Sequence, residues 1–328
     1  MKLYVTGGTG LVGSNLIRLA RAQNNVEIIA SQFGPEPEWK VDYELDPLDI
    51  SDAEAIRRSI RKYRPDVVIH TAASVDQVWM RNNRELAWAV MVDSTLAFAR
   101  ACREIDSRFV FISTDWVFDG MVPLVTEFSP PLPVNYYGIM KAVCEQALGA
   151  MDDLNYGVGR LAGVYGLNYA VPAMLRREQS LGFEMGVFVA DQVTRGRVAE
   201  IWTGPNTNMQ AHPTLASDCA DMLLRLGRSD ARGIFHCFGS ESAGRLDFAR
   251  AVASAFAADS GLIAAVPTDP KTLEIHAGIR IPCRSCASVE HTSAVLGRRA
   301  MNVAEGTAAF RQEWDAFHDG QGKELCRP

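Results

Sequence analysis

The chain has 328 residues, 48% hydrophobic and 22% charged, a globular balance that excludes wholesale disorder and suits one large or two modest domains. A formal net charge of −6 with no Lys/Arg block excludes a general nucleic-acid or anionic-membrane binder. No apolar run reaches the roughly 18–20 residues of a membrane-spanning helix, and seven scattered cysteines, an odd number, argue for a reducing, cytoplasmic setting. The first residues read as a strand rather than a signal peptide.

Leu3-Tyr4-Val5 predicts the first strand. The glycines that follow lead into a helix with Val12, Leu16, Leu19 and Ala20 on one face. Val26–Ala30 predicts the second strand, and Ser51-Asp52-Ala53-Glu54 reads as a capping box opening a helix that Pro65 stops. Val67-Val68-Ile69 is an unbroken apolar run of the kind a doubly covered parallel strand shows. A helix is expected over about 83–104, a strand at Phe109–Ile112, a helix from Tyr136 with Met140, Val143, Cys144, Ala147 and Leu148 inward, and a sixth strand over Val158–Val164. Strand and helix in alternation predict an α/β fold, a Rossmann-type doubly wound parallel sheet.

After Gly166 the rhythm breaks. Helices are expected near 171–182, 214–227 and 246–258, separated by irregular stretches such as 202–213, and Gly233–Cys237 reads as a strand returning to the sheet. The expected division is a dinucleotide-binding domain of residues 1–166 plus about 212–240, with a smaller, irregular substrate lobe from about 167–211 and 241–328. The last residues, from about Gly320, are expected to fray.

Thr6-Gly7-Gly8-Thr9-Gly10-Leu11-Val12-Gly13 sits between the first strand and the first helix. Glycines there let the backbone approach a pyrophosphate, whose charge the helix N-terminus meets with unpaired N–H groups. An ordinary tight turn would use the same letters; the position as the first βα turn favours a dinucleotide. After the second strand, Ser31-Gln32-Phe33 offers no acid before Glu36 to take a ribose 2′-hydroxyl, and no arginine to clamp a 2′-phosphate. The missing carboxylate leans slightly towards NADP(H) over NAD(H).

Tyr137 and Lys141 stand at i and i+4 on one helix face. An ammonium beside a phenol stabilises the phenolate, so such a tyrosine can pass a proton to a carbonyl oxygen. Ser113-Thr114-Asp115-Trp116 follows a buried strand, at the end where ligands bind in open α/β sheets. Thr114 there either bonds a substrate oxygen or, with Asp115, caps the next turn.

Together, Thr6–Gly13, Asp66–Ala73, Ser113–Gly120 and Tyr137–Lys141 resemble an extended short-chain dehydrogenase/reductase. The Ser-Thr-Asp-Trp-Val-Phe-Asp-Gly run at 113–120 is most similar to the dTDP-4-dehydrorhamnose reductase branch. Val164-Tyr165-Gly166, Pro213-Thr214 with Asp218, and Gly233–His236 extend the likeness over roughly residues 1–260. The resemblance implies a catalytic triad of Thr114, Tyr137 and Lys141, with Asp115, Trp116 and Val117 at the substrate. It places Gly7, Gly10, Leu11, Val12, Gly13, Ser31, Asp49, Ile50, Ala72, Ala73, Tyr137 and Lys141 at the cofactor. The implied reaction is NAD(P)H-dependent reduction of a 4-keto nucleotide-linked deoxysugar, by a homodimer that pairs through the 83–104 and 137–150 helices.

Three departures are visible: Asp93 where the family usually has Asn, Gly163 where the rhamnose reductases carry Trp, and a longer stretch from Asp191 to His212. A sugar epimerase or dehydratase is the alternative reaction, although the superfamily's dehydratases place Asp-Glu after the threonine and here Trp116 follows Asp115. A non-catalytic NADP-binding regulatory subunit, similar to the methionine adenosyltransferase β-subunit, is the alternative class. Cys283-Arg284-Ser285-Cys286 lacks the further ligands zinc needs, so no metal is expected. His212 and the pair Arg176–Arg177 are candidate phosphate contacts, against structural or solvated roles.

Overall fold

A computed structural model describes residues 1–34, 36–38, 41–175, 180–182 and 184–319. Arg176, Arg177 and the segment from Gly320 lie outside the described residues. The first part of the chain runs β1 (Lys2–Thr6), α1 (Leu11–Arg21), β2 (Glu27–Gln32), β3 (Glu44–Pro47), α2 (Ala53–Tyr63) and β4 (Val67–His70). It continues through α3 (Gln77–Asn82), α4 (Arg84–Trp88), α5 (Ser94–Glu104), β5 (Arg108–Thr114), α6 (Tyr136–Gly149), β6 (Tyr156–Leu161) and β7 (Val164–Tyr165). The rest comprises α7 (Gly186–Thr194), β8 (Ala199–Thr203), β9 (Gln210–Ala211), β10 (Thr214–Leu215), α8 (Ala216–Arg228), β11 (Gly233–His236) and β12 (Ala243–Gly244). Then come α9 (Arg245–Ala255), β13 (Ile263–Pro267), α10 (Pro270–Ile275), α11 (Glu290–Leu296) and α12 (Val303–His318).

Seven strands form one parallel sheet in the order β11-β6-β5-β4-β1-β2-β3. The expected doubly wound sheet is therefore present, with β11 returning to its edge. Side chains alternate across it as the pleat demands: Leu3, Val5, Val67 and Ile69 enter the apolar layer under α1 and α8, while Tyr4, Val68, Phe109 and Phe111 enter the layer under α2, α5 and α6. Because both faces are covered, these strands carry apolar residues at consecutive positions. Strand order reverses beside β1, and the crevice this opens lies at the C-terminal ends of β1 and β4, where open α/β sheets take their ligands. A separate core gathers Tyr165, Met185, Val189, Phe248, Phe310 and Trp314 from the later segments.

Several boundaries differ from expectation. The α2 helix is capped by Asp52, whose carboxylate accepts from Glu54 N and Ala55 N at 2.9 Å each, so Ser51 does not open a capping box. The single helix expected over 83–104 is interrupted by a π turn at Ala89–Asp93. There Ser94 Oγ donates to Val90 O and Thr95 Oγ1 to Met91 O, hydroxyls bonding back one turn, as helix irregularities commonly show. The sixth strand stops at Leu161, since Gly163 adopts φ +50, and β7 pairs instead with β10 in a two-stranded sheet. No helix covers the described part of 171–182: Pro172–Met174 is a single 3₁₀ turn, its entry held by Asn168 Oδ1 accepting from Ala170 N and Val171 N. Helix α7 and strand β8 lie where only irregular structure was expected.

Candidate active site

The glycine turn leaves β1 and enters α1 without a side-chain cap, because the N-cap residue is Gly10. Helix geometry leaves the N–H groups of this first turn without intrahelical partners, and Leu11, Val12 and Gly13 line a cleft of about 360 Å³. Glycine is required at position 13, where a Cβ would stand 2.2 Å from Gly7 O. Gly7 has φ +65, a conformation L side chains rarely adopt, with Ala72 packed against it. The turn is braced from both sides: Thr6 Oγ1 accepts from Ala72 N at 2.9 Å, and Asn168 Nδ2 donates to Thr9 O at 3.0 Å. An uncapped helix N-terminus, a backbone a Cβ would fill and no carboxylate among the turn residues together fit a dinucleotide pyrophosphate.

Helix α6 carries the Tyr137–Lys141 pair. Asn135 caps it by accepting from Gly138 N at 2.9 Å. A Cβ at Gly138 would lie 2.2 Å from Trp116 O, so glycine lets the helix start press on the loop after β5. Tyr137 is half-buried at the cleft, its ring meeting the edge of Trp116 at 6.2 Å between centroids. One turn on, Lys141 is buried, with Nζ 5.9 Å from the Tyr137 ring centroid and donating to Ile112 O at 2.7 Å. Burial lowers the Lys141 ammonium from its usual range to about 8, partly offset by the nearby Cys144 and Glu145. The next turn of the same face holds Glu145, which accepts from Ser113 Oγ at 2.5 Å and pairs with the fully buried Arg160 through Nε at 2.9 Å and Nη2 at 2.7 Å. The ion pair ties α6 to β6 and the Ser113 hydrogen bond ties it to β5, which together fix Tyr137 and Lys141 relative to Thr114.

Thr114 ends β5 at the cleft. Its hydroxyl donates to Asp115 Oδ1 at 3.1 Å and accepts from Trp116 N at 3.2 Å, so it caps the 3₁₀ turn and faces the cavity as well. Asp115 is buried, and its Oδ2 makes no hydrogen bond. Burial pushes its carboxyl up to about 7; the Ser285 and Thr114 hydroxyls oppose this and Glu184 adds to it.

Of the other expected site residues, Ala73 lines the same cleft. Gly7 and Ala72 pack against each other behind the turn and do not line the cleft, and buried Ser31 accepts from Gly8 N at 3.4 Å through its carbonyl. Asp49 is exposed and accepts from Ser51 N and Oγ at 2.9 and 2.7 Å, while Ile50 packs against the α2–α5 side of the core. Val117 is fully buried among Phe118, Ala142 and Ala162 and does not line the cleft. His212 uses both ring nitrogens inside the protein, Nδ1 with Gly239 O at 2.7 Å and Nε2 accepting from Ala287 N at 3.0 Å, so it is structural. Asp93 is exposed at the π turn. The far wall, Gly182, Glu184 and Asn208, was not found from sequence. All three fall within the substrate lobe expected over about 167–211, although none of them was singled out individually.

Residues 1–200 match the family model described as the RmlD substrate binding domain. Over 322 residues, 97% of this chain and 99% of the relative, it is 28% identical to a probable low-salt glycan biosynthesis reductase of Haloferax volcanii. It is 27% identical to the dTDP-4-keto-6-deoxy-D-glucose reductase of Streptomyces niveus, covering 81% and 82% of the two chains. It is 26% identical to the methionine adenosyltransferase 2 subunit beta of Bos taurus, covering 82% and 76%. Among solved structures, the UDP-glucose 4-epimerase of Thermus thermophilus with NAD superposes with a TM-score of 0.77 at 22% identity, over 95% and 98% of the chains. A dTDP-4-dehydrorhamnose reductase of Bacillus anthracis in complex with NADP gives 0.73 at 20%, over 95% and 99%. These neighbours share the fold, and the reductase relatives support a reductase of nucleotide-sugar type. Among the described residues no helix is long and apolar enough to cross a membrane. The chain is thus an NAD(P)-dependent oxidoreductase of the extended short-chain dehydrogenase/reductase type, and it belongs to the RmlD substrate binding domain family.

Proposed function

We propose that the protein reduces the 4-keto group of a nucleotide-linked deoxysugar with NADPH or NADH. The observation that carries this reading is the convergence of Tyr137, the buried Lys141 and Thr114 with the uncapped start of α1 around one cleft. Gly7, Gly10, Leu11, Val12 and Gly13 would hold the pyrophosphate, with Ser31, Asp49, Ile50, Ala72 and Ala73 flanking the cofactor, which supplies hydride when bound. Tyr137 donates its phenolic proton to the carbonyl oxygen as that oxygen gains charge. Lys141 steadies the phenolate left behind and is itself oriented by Ile112 O. Thr114 Oγ1, positioned by Trp116 N, holds the substrate oxygen. The β2 end favours NADP(H): Gln32 Nε2 turns to Gly34 O at 3.0 Å, and residues 31–34 carry no carboxylate to take a ribose 2′-hydroxyl.

The substrate lobe in this reading is 167–211 with 241–328, which has its own apolar core around Phe248, Phe310 and Trp314. Exposed Leu86 and Ile139, on α4 and α6, support a homodimer through those helices. A panel of dTDP-, UDP- and GDP-linked 4-ketosugars, followed by NADPH absorbance, tests the activity. Tyr137→Phe is expected to cut turnover by roughly 10²–10⁴ while NADPH still binds. An unchanged rate removes Tyr137 as the acid. NADPH binding with no turnover of any ketosugar, together with copurification of a stoichiometric enzyme, favours the regulatory-subunit reading instead.

A further inference from the structure

One short stretch, residues 167–175, is fastened to the glycine turn at its beginning and lines the cleft at its end. Along α1, Asn15 Nδ2 donates to Leu167 O at 2.9 Å and Tyr169 N donates to Ser14 Oγ at 3.2 Å. Arg18 lies over the Tyr169 ring, 4.4 Å from its centroid. Asn168 Nδ2 reaches the turn itself and donates to Thr9 O at 3.0 Å. At the far end Met174 and Leu175 line the cleft. They are held by the 3₁₀ turn, in which Met174 N donates to Val171 O at 2.9 Å and Leu175 N to Pro172 O at 3.1 Å.

A second tether comes from beyond β2, the strand whose end takes the ribose in dinucleotide folds. Glu38 N donates to Ala170 O at 3.1 Å, and Glu38 Oε1 accepts from Ala173 N at 2.8 Å. Asn168 uses both ends of its amide: Oδ1 accepts from Ala170 N and Val171 N at 3.0 and 2.9 Å while Nδ2 holds Thr9 O. It is buried and cannot turn without leaving one of these sets unpaired, which is costly inside a protein. The same side chain thus shapes the glycine turn and the wall that carries Met174 and Leu175.

Resting on the reductase reading above, we propose that Asn168 and Glu38 are positioning residues that couple the two ligands of the cleft. A nicotinamide dinucleotide on the glycine turn fixes the 167–175 stretch, and the sugar nucleotide then meets a wall already in place. A wall shared by two ligands loses its conformational freedom once, so the second ligand binds with less entropy to lose. By linkage each ligand raises the affinity of the other by the same factor. The bonds from Asn168 Nδ2 to Thr9 O and from Ala173 N to Glu38 Oε1 carry this coupling, because they tie the wall to the two chain segments that flank the dinucleotide.

The test is a calorimetric linkage cycle on the full chain. Affinity for dTDP-glucose, UDP-glucose or GDP-mannose, whichever binds tightest, is measured with and without saturating NADPH. Wild type is expected to bind the sugar nucleotide about fivefold or more tightly once NADPH is present. Asn168→Asp keeps the acceptor for Ala170 N and Val171 N and removes the donor to Thr9 O; its new charge weakens NADPH with and without the sugar alike and cancels from the ratio. Glu38→Ala removes the acceptor for Ala173 N and Glu38→Gln restores it. Asn168→Asp and Glu38→Ala are expected to lower the coupling factor towards unity, and Glu38→Gln to retain it. Glu38 is exposed, so its two variants decide the matter even if Asn168→Asp does not fold. A wild-type factor within about twofold of unity, binding of none of the three sugar nucleotides, a factor unchanged in Asn168→Asp or in Glu38→Ala, or a loss as complete in Glu38→Gln as in Glu38→Ala overturns the proposal. Ketosugar turnover is scored separately. Coupling without turnover sinks the reductase reading and leaves the positioning roles, and turnover without coupling does the reverse.

Discussion

The Asp115 carboxyl offers a measurement of how much strain the site holds. Burial raises it from 3.8 to about 7, so the folded chain binds its proton more tightly than the unfolded chain does. By linkage, the native state is most stable below the unfolded value and loses stability as pH rises from there through the folded value. Each unit of separation corresponds to about 1.36 kcal/mol, and the interval from pH 5 to about 7 spans roughly two units. Wild type is therefore expected to lose about 2–3 kcal/mol relative to Asp115→Asn between pH 5 and pH 8. The amide keeps the acceptor for Thr114 Oγ1, and its own packing cost does not vary with pH, so that cost cancels from the difference. Urea unfolding of both proteins at half-unit steps of pH reads the gap directly. A gap that stays constant from pH 5 to pH 8 refutes the argument that this carboxylate is buried at the expense of the fold.

On the proposed function, Lys141 is expected to set the alkaline side of activity. With its ammonium lowered to about 8, kcat/KM for a ketosugar should fall above that pH as the charge that steadies the Tyr137 phenolate is lost; a profile flat to pH 9.5 would count against it. Gly13→Ala places a methyl 2.2 Å from Gly7 O, so fluorescence titration should show NADPH affinity reduced on the order of tenfold or more, about 1.4 kcal/mol. Arg160→Leu leaves Glu145 buried and unpaired and should cost about 3–5 kcal/mol, while the Glu145→Leu/Arg160→Leu double variant should recover much of it. Urea midpoints of the singles and the double decide this, and a double variant less stable than either single contradicts the pairing.

Much of the N-terminal half was legible in the sequence because its signals are local. A glycine turn between a strand and a helix, an i, i+4 Tyr–Lys pair and unbroken apolar strands each depend on neighbours within a few residues, and the sheet places them as read. The misreadings have equally local causes. The π turn at 89–93 arises from hydroxyls of Ser94 and Thr95 bonding backwards, which an apolar periodicity does not register. In the described part of the helix expected near 171–182, Pro172–Met174 forms a 3₁₀ turn, and Asn168 claims the N–H groups of Ala170 and Val171 at its entry.

The sequence alone determined the sheet's winding, the glycine turn and the Tyr137–Lys141 pair on one helix face, since period, glycine placement and one helical turn specify them without reference to distant chain. Only the tertiary structure decided the far wall of the cleft. Asp115 was marked by the run that carries it, but Glu184 and Asn208 lie 69 and 93 residues further on, and nothing in their neighbourhoods marks them. What brings them together is long-range hydrogen bonding, chiefly Arg245 to three carbonyls and the 283–285 loop to 209–210. Chemistry that depends on such closures is written in the packing of the chain, not in the order of its residues.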